Sequence, residues 1–368
     1  MSRSSDSATR LGALTQRWSA RHAASFAADG PGAILLGELA ASIDASGAPA
    51  QWQRRPSLSF DGTPLVLSCK LAREADPALR VLVEPGHLGM TVAQQVACAL
   101  TRLDGMLGRL GWRQAVAQIN AIASCVFPHD AADTAHWWGG IWLGASVAAC
   151  VSAGAESTGA DADLRLYLNL RHGDASARWR RLRAVLAAFA QGQAIPGLPA
   201  WMSMVAEHAI PVGLGMVVSA AGVIALRVYV GVATPSLAVL TALAHSVDDA
   251  AVPELATVHD GFTDRFGPMP AQSVTAGFDF LRSRSDVQGQ ISIRRTKFDL
   301  CCDLIDPARR PLLLPWIRQL LADQALDAAP LASLLGDIDA IWGGSRIQFL
   351  SLGFQPRFDH LTVYVLPQ

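Results

Sequence analysis

Leu226-Arg-Val-Tyr-Val-Gly231 alternates apolar and polar residues with a period of two. A strand built from it turns Leu226, Val228 and Val230 to one face and Arg227 and Tyr229 to the other. Four further stretches carry the same pattern: Leu79-Arg-Val-Leu-Val-Glu84, Leu164-Arg-Leu-Tyr-Leu-Asn169, Thr296-Lys-Phe-Asp-Leu-Cys301 and Leu361-Thr-Val-Tyr-Val-Leu366. They recur every 60 to 85 residues, which is the spacing of a repeated supersecondary unit.

Outward from these strands, most are preceded by a second strand candidate: Pro64–Leu71, Ile141–Val151, Gly213–Val218 and Ile347–Phe354. In the fourth unit both Ala276–Leu281 and Gln290–Arg294 qualify. Helical patterns follow each pair. Thr91–Leu107 places Val92, Val96, Leu100, Leu103 and Leu107 on one face, and Ser176–Ala190 does the same with Trp179, Leu182, Leu186 and Phe189. Thr234-Pro235 and Asp306-Pro307 read as an N-cap followed by proline at the first helical position. Second helices are expected at Gln114–Ser124, Pro199–His208, Pro253–Arg265 and Ala328–Leu335.

The unit is therefore strand, strand, helix, helix, repeated about four and a half times. Such units close into a ten-stranded antiparallel barrel of the α/β (α+β) class, with helices outside and a solvent-filled centre. Residues 1–56, helical over Leu11–Phe26 and Ala33–Ile43, form a helical preface to a single barrel domain at 57–368.

Composition narrows the class of function. The chain has 368 residues, a net charge of −1, 51% hydrophobic and 17% charged residues. That balance argues against global disorder and against a nucleic-acid partner, which needs a basic stripe. Six cysteines without CxxC spacing indicate neither a zinc site nor a disulfide framework. MSRSSDSATR at the N-terminus has no apolar core, so a cytoplasmic location is expected. Trp137–Ala155 and Ala209–Leu226 are uncharged and about long enough to span a bilayer. The second is interrupted by Pro211, Gly213, Gly215 and the Ser219–Gly222 turn, which suits a buried hairpin and argues against membrane insertion.

In this barrel Arg80, Arg165, Arg227 and Lys297 take equivalent inward positions on four hairpins. Like charges brought together need a polyanion, and a diphosphate fits, since guanidinium groups bind its oxygens in pairs. Tyr167, Tyr229 and Tyr364, the only tyrosines of the chain, fall at one position of the repeat. Their hydroxyls can donate to phosphate and their ring faces can shield a carbocation. No DDxxD motif is present, so direct binding by basic residues without an obligatory metal is expected; magnesium would be at most a stimulant.

These residues resemble those of the dimethylallyltryptophan synthase family of aromatic prenyltransferases, the αββα prenyltransferase-barrel proteins. Asp61-Gly-Thr-Pro-Leu-Val-Leu-Ser-Cys-Lys70 looks like the family's DGTP-x-E-x-S-x-K strand, and Leu79-Arg-Val-Leu-Val-Glu-Pro85 like its R-x-x-x-E-P strand. Arg165/Tyr167 and Arg227/Tyr229 match its K/R-x-Y strands, Lys297 its fourth-unit basic strand and Leu361–Pro367 its closing strand. The resemblance implies that Arg80, Arg165, Tyr167, Arg227, Tyr229, Lys297 and Tyr364 bind and shield dimethylallyl or geranyl diphosphate. It also implies an indole or another electron-rich aromatic acceptor, a small molecule or peptide, and a role in secondary metabolism such as alkaloid biosynthesis. The acceptor pocket would include Val66, Ser68, Trp138 and Trp142, and the protein would be a monomer or homodimer.

Two positions depart from the family. Its glutamate falls at Val66, which can neither accept an indole N–H nor act as a base. Its fourth-unit tyrosine is Asp299, readable as a salt-bridge partner of Lys297, a relocated base or a ligand for optional magnesium. Glu84 reads as structural. Two alternatives therefore stay open: a terpene cyclase or diphosphate lyase without an external acceptor, and a non-catalytic isoprenoid-binding barrel.

Overall fold

The computed structural model describes residues 5–21, 31–45, 64–73, 75–86, 90–127, 139–148, 164–282, 290–355 and 357–368. Ten strands close into one antiparallel barrel: β1 (Leu65–Ala72), β2 (Ala75–Val83), β3 (Ile141–Ala148), β4 (Leu164–Asn169), β5 (Ala209–Ser219), β6 (Gly222–Val232), β7 (Val274–Arg282), β8 (Ile291–Cys301), β9 (Ser345–Phe354) and β10 (Phe358–Pro367). Each strand pairs with its sequence neighbours, and β1 pairs with β10 to close the ring. This is the expected ten-stranded αββα barrel. Closure leaves no edge strand among the described residues whose backbone groups would need covering.

The doubtful fourth unit resolves into both candidates. Ala276–Leu281 lies in β7, and Gln290–Arg294 overlaps the first half of a long β8. The uncharged run at Ala209–Leu226 is the β5–β6 hairpin, turned tightly at Ser219 and Gly222, where Gly222 takes a φ of 103°. The other run contributes β3. Among the described residues no helix is long and apolar enough to cross a membrane.

The helices are α1 (Ser5–Arg21), α2 (Pro31–Ala45), α3 (Val92–Leu110), α4 (Arg113–Val126), α5 (Ala175–Ala190), α6 (Leu198–His208), α7 (Leu237–His245), α8 (Val252–Phe266), α9 (Leu313–Asp323) and α10 (Ala329–Trp342). Their starts are chemically marked. Thr91 and Gln94 form a reciprocal capping box on α3, and Asp174 caps α5. Two expected caps are corrected. Ser236, not Thr234, caps α7, because the Thr234 carbonyl first closes a turn onto the Ser236 N–H at 2.9 Å. Asp306 instead accepts the Ala308 N–H in a turn at 3.0 Å, and α9 begins only at Leu313. Pro311 has no N–H with which to bond the carbonyl four residues back, so a helix cannot run from Pro307.

The N-terminal helices are more than a preface. The α2 helix packs on β2 and β3, and α1 packs on α10. Together they fill the place between α10 and α3, so that five helix pairs surround five hairpins. Leu11, Leu14, Trp18, Leu35 and Leu39 join the same apolar core as the outward faces of the strands. That core lies between barrel and helices, and a second, smaller apolar cluster lies inside the barrel.

Close approach inside the wall is tight at Gly353, which faces His360 across β9 and β10. A Cβ there would run into the buried His360 ring. Gly353→Ala is expected to cost about 1–3 kcal/mol through overpacking, read as a lower midpoint in urea unfolding; unchanged stability would show that the ring moves aside freely.

Candidate functional site

The inner face is built by alternation. Odd and even positions of each strand part company, so Leu79, Val81 and Val83 join the outer core while Arg80 and Leu82 turn inward. At one end Val66, Leu82, Trp142, Tyr364 and Leu366 form the inner apolar cluster, with Tyr167 and Phe349 packed against it. All of these but Leu366 border a cavity of about 830 Å³, counted out to its open mouth. All three tyrosines line it, and Tyr167 and Tyr229 lie 6.3 Å apart between ring centres.

Cations gather behind the tyrosines. Arg80 is only 6% exposed, sits between Ser68 and Ser146 across the sheet, and its Nε has no hydrogen-bond partner among the described residues. Burial, then the nearby Arg165 charge, draws its pKa down to about 10. The Arg165 Nε donates to Ser146 Oγ at 3.1 Å. Lys70 makes no ion pair among the described residues; burial and the charges of Arg80, Arg295 and Arg165 lower it to about 7, against a smaller opposing pull from Asp359.

The other two expected cations bring their own carboxylates. Arg227 faces Asp279 across β6 and β7 and grips it with Nε and Nη2. Burial works against the Arg227 charge, and Asp279 more than offsets it, so its pKa stands well above the usual value. Lys297 Nζ donates to Asp299 Oδ1 at 2.8 Å and to Ser351 Oγ at 3.2 Å. It also lies 4.8 Å from the Tyr229 ring centre and 6.0 Å from that of Tyr364. Burial alone would raise the Tyr167 phenol, yet the surrounding Arg165, Arg80, Lys297 and Arg227 charges bring it below its ordinary value.

Glycine makes room for these long side chains. Successive cross-strand partners from β4 to β10 read Asn169, Gly213, Tyr229, Gly277, Lys297, Gly353 and His360. Tyr229 and Lys297 each lie between two glycines. A Cβ on Gly277 would stand 2.9 Å from Lys297 Cγ, so only glycine lets that lysine lie flat along the wall.

Arg80, Arg165, Arg227, Lys297, Tyr167, Tyr229 and Tyr364 thus share one interior. Val66 and Trp142 line the cavity as expected of acceptor-pocket residues. Ser68 stands between Arg80 and Tyr364, behind the tyrosines and away from the cavity lining. Trp138 lies outside the described residues. Glu84 accepts the Gly140 N–H at 3.3 Å, which suits its structural assignment. Asp299 reaches the cavity wall beside Lys297. Asp279, Thr275 and Gln348 were not singled out from sequence. Lys70 was visible in the first strand motif but without a role. Asp279 becomes meaningful only through the register that sets it opposite Arg227. Among the described residues no group of three His, Cys, Asp or Glu could hold a metal ion.

The sequence matches no protein-family model and no curated protein. Its structure is similar to that of PriB in complex with product diphosphate, at 18% identity and a TM-score of 0.69, covering 97% of this chain and 95% of that one. It is also similar to 5-dimethylallyl tryptophan synthase from Streptomyces coelicolor in complex with DMASPP and Trp, at 16% identity, a TM-score of 0.70 and coverage of 98% and 95%. A third likeness is to 6-dimethylallyltryptophan synthase from Micromonospora olivasterospora in complex with DMASPP and Trp, at 14% identity, a TM-score of 0.64 and coverage of 91% and 95%. What the chain shares with them is the fold, over nearly its whole length.

The Arg227–Asp279 pair is an internal strut of the site. Asp279→Ala strands a buried guanidinium and is expected to cost about 3–5 kcal/mol. Removing both partners should recover part of that loss in denaturant titrations, because no lone charge remains. Strictly additive losses would show that the two side chains do not depend on each other.

Proposed function

We propose that this chain is a cytoplasmic aromatic prenyltransferase of secondary metabolism, moving a dimethylallyl or longer prenyl group from its diphosphate to an electron-rich aromatic acceptor. The observation that carries this reading is the tyrosine layer, which touches an apolar chamber on one side and a buried cation cluster on the other. The solved structures of similar fold, with diphosphate or with DMASPP and Trp bound, support it.

In this reading Arg80, Lys70 and Arg165 receive the diphosphate, with Arg227 and Lys297 behind them. The allylic C–O bond breaks and its electron pair leaves with the diphosphate, whose growing charge these residues stabilise without reorganising. Tyr167, Tyr229 and Tyr364 face the allyl cation and keep water away. The acceptor supplies a π pair for the new bond and then loses a proton. Val66 cannot take that proton. Asp299 lines the chamber and is held in place by Lys297, so it is our choice of base. Binding requires no metal in this scheme.

A second reading rests on Val66. It stands in an apolar wall with Leu82, Trp142 and Leu366, as a cyclase or lyase that needs no base for an external acceptor would have it. Purified protein with dimethylallyl or geranyl diphosphate, with and without a panel of indoles and phenols, separates the two. Diphosphate release that requires an acceptor supports transfer, release without one supports the cyclase or lyase, and no release defeats both in favour of a binding barrel. Within the transfer reading, Asp299→Asn should lower kcat about 10²-fold or more with donor affinity retained, and Arg80→Ala should weaken donor binding.

Lys70 adds a pH signature. Its pKa of about 7 in the free protein rises when an anion binds beside it. Donor affinity is therefore highest where Lys70 is already protonated and falls as the pH climbs above about 7. At about pH 8 binding takes up a proton through this residue. Calorimetry of dimethylallyl thiolodiphosphate binding in buffers of different ionisation enthalpy measures the uptake. Identical uptake in Lys70→Met would exclude the lysine from the anion site.

A further inference from the structure

β9 and β10 lose register at one place. Tyr364 opposes Phe349 and Val365 opposes Ile347, so Gln348 is the extra residue of a β-bulge. The bulge brings two consecutive side chains to the same cavity, and both Gln348 and Phe349 line it. Gln348 is fully buried at 0% exposure. Neither its Oε1 nor its Nε2 has a hydrogen-bond partner among the described residues.

A buried carboxamide with neither end met costs about 1–3 kcal/mol for each group left unpaired. Most of the chamber wall around it is apolar, with Val66, Leu82, Tyr364 and Phe349, and its charged members are Arg171 and Asp299. A leucine of similar size would suit such a wall better unless something arrives to meet the amide. Such groups in a cavity wall call for a partner that comes from outside. Val66, in the same wall, can grip nothing polar.

We propose that Gln348 is the specificity-determining residue of the chamber, and that it reads a neutral amide or lactam carried by the aromatic acceptor. The chemistry of the side chain selects that class. Nε2 offers a donor and Oε1 an acceptor, side by side in one plane. A carboxylate on the acceptor would satisfy Nε2 and set its lone pairs against Oε1. An ester or ether would leave Oε1 unmet, and an ammonium would leave Nε2 unmet. A group with an N–H next to a C=O meets both at once, through two parallel hydrogen bonds. Discrimination of this kind is strong because the wrong ligand leaves buried polar groups unpaired. This inference rests on the reading of the chamber as the acceptor pocket.

The test measures binding alone, without donor or turnover, so it can fail while prenyl transfer stands, and the reverse. Two matched pairs serve as probes: indole-3-acetamide against methyl indole-3-acetate, and 4-hydroxyphenylacetamide against methyl 4-hydroxyphenylacetate. By titration calorimetry the wild-type protein should bind the amide of at least one pair about tenfold more tightly than its ester. Gln348→Leu should erase that preference by weakening the amide and leaving the ester unchanged. The ligand-free variant should melt no lower than wild type, since an unpaired buried amide has been removed. Gln348→Met offers the same comparison if the leucine variant does not fold. Absence of an amide preference in both pairs overturns the proposal, as does a preference that survives the substitution or an equal loss of amide and ester binding.

Discussion

Everything inside this barrel answers to one constraint: several positive charges are enclosed where water cannot screen them. Arg80, Arg165, Arg227, Lys297 and Lys70 share one interior, and burial acts against the charged form of Arg80, Arg227, Lys297 and Lys70. The fold meets this in two ways. Asp279 and Asp299 neutralise Arg227 and Lys297 in the folded protein itself. Arg80 and Lys70 remain without a carboxylate of their own, and the strain appears in their lowered pKa values. A buried charge left unpaired destabilises the protein that carries it. In the proposed reading, that open charge is what the diphosphate meets.

The rest of the architecture serves that enclosure. Tyr229 and Lys297 can lie along the inner wall because glycine stands on both sides of each, at Gly213, Gly277 and Gly353. Outside, five helix pairs cover the apolar faces of five hairpins, with α1 and α2 completing the ring next to α10. The tyrosines stand between the two regimes: all three line the chamber, and the Lys297 ammonium lies over the rings of Tyr229 and Tyr364. Such side chains suit a boundary between an apolar and a charged volume.

Much of this was legible before any coordinates. The period-two strands at Arg80, Arg165, Arg227, Lys297 and Tyr364 repeat often enough to announce both the barrel and its polar inner face. What escaped was whatever depends on register between strands distant in sequence. Asp279 lies in β7, a strand without an Arg/Tyr signature, and only its place opposite Arg227 reveals its task. Gln348 sits on a bulge, and a single extra residue reverses which side chains face inward. Ser68 shares the first motif with Val66, yet two residues along the strand move it from the chamber wall to the cation cluster. The helix starts at Ser236 and Leu313 slipped for a local reason, because turns closed around Pro235 and Pro307, which looked like helix openers.

By itself the sequence determined the element types, their order, and which face of each hairpin turns inward. Those follow from the alternation of a strand and the periodicity of a helix, which are properties of the chain over a few residues. The tertiary structure alone decided that Arg227 is neutralised by Asp279 while Arg80 has no carboxylate of its own among the described residues. It also decided that the N-terminal helices complete the ring and that Gln348 joins the chamber. Those outcomes depend on cross-strand register and on closure, which bring together residues as far apart as Ser68 and Tyr364. No local pattern encodes a pair such as Arg227 and Asp279, which sit 52 residues apart and meet only through the register of β6 and β7.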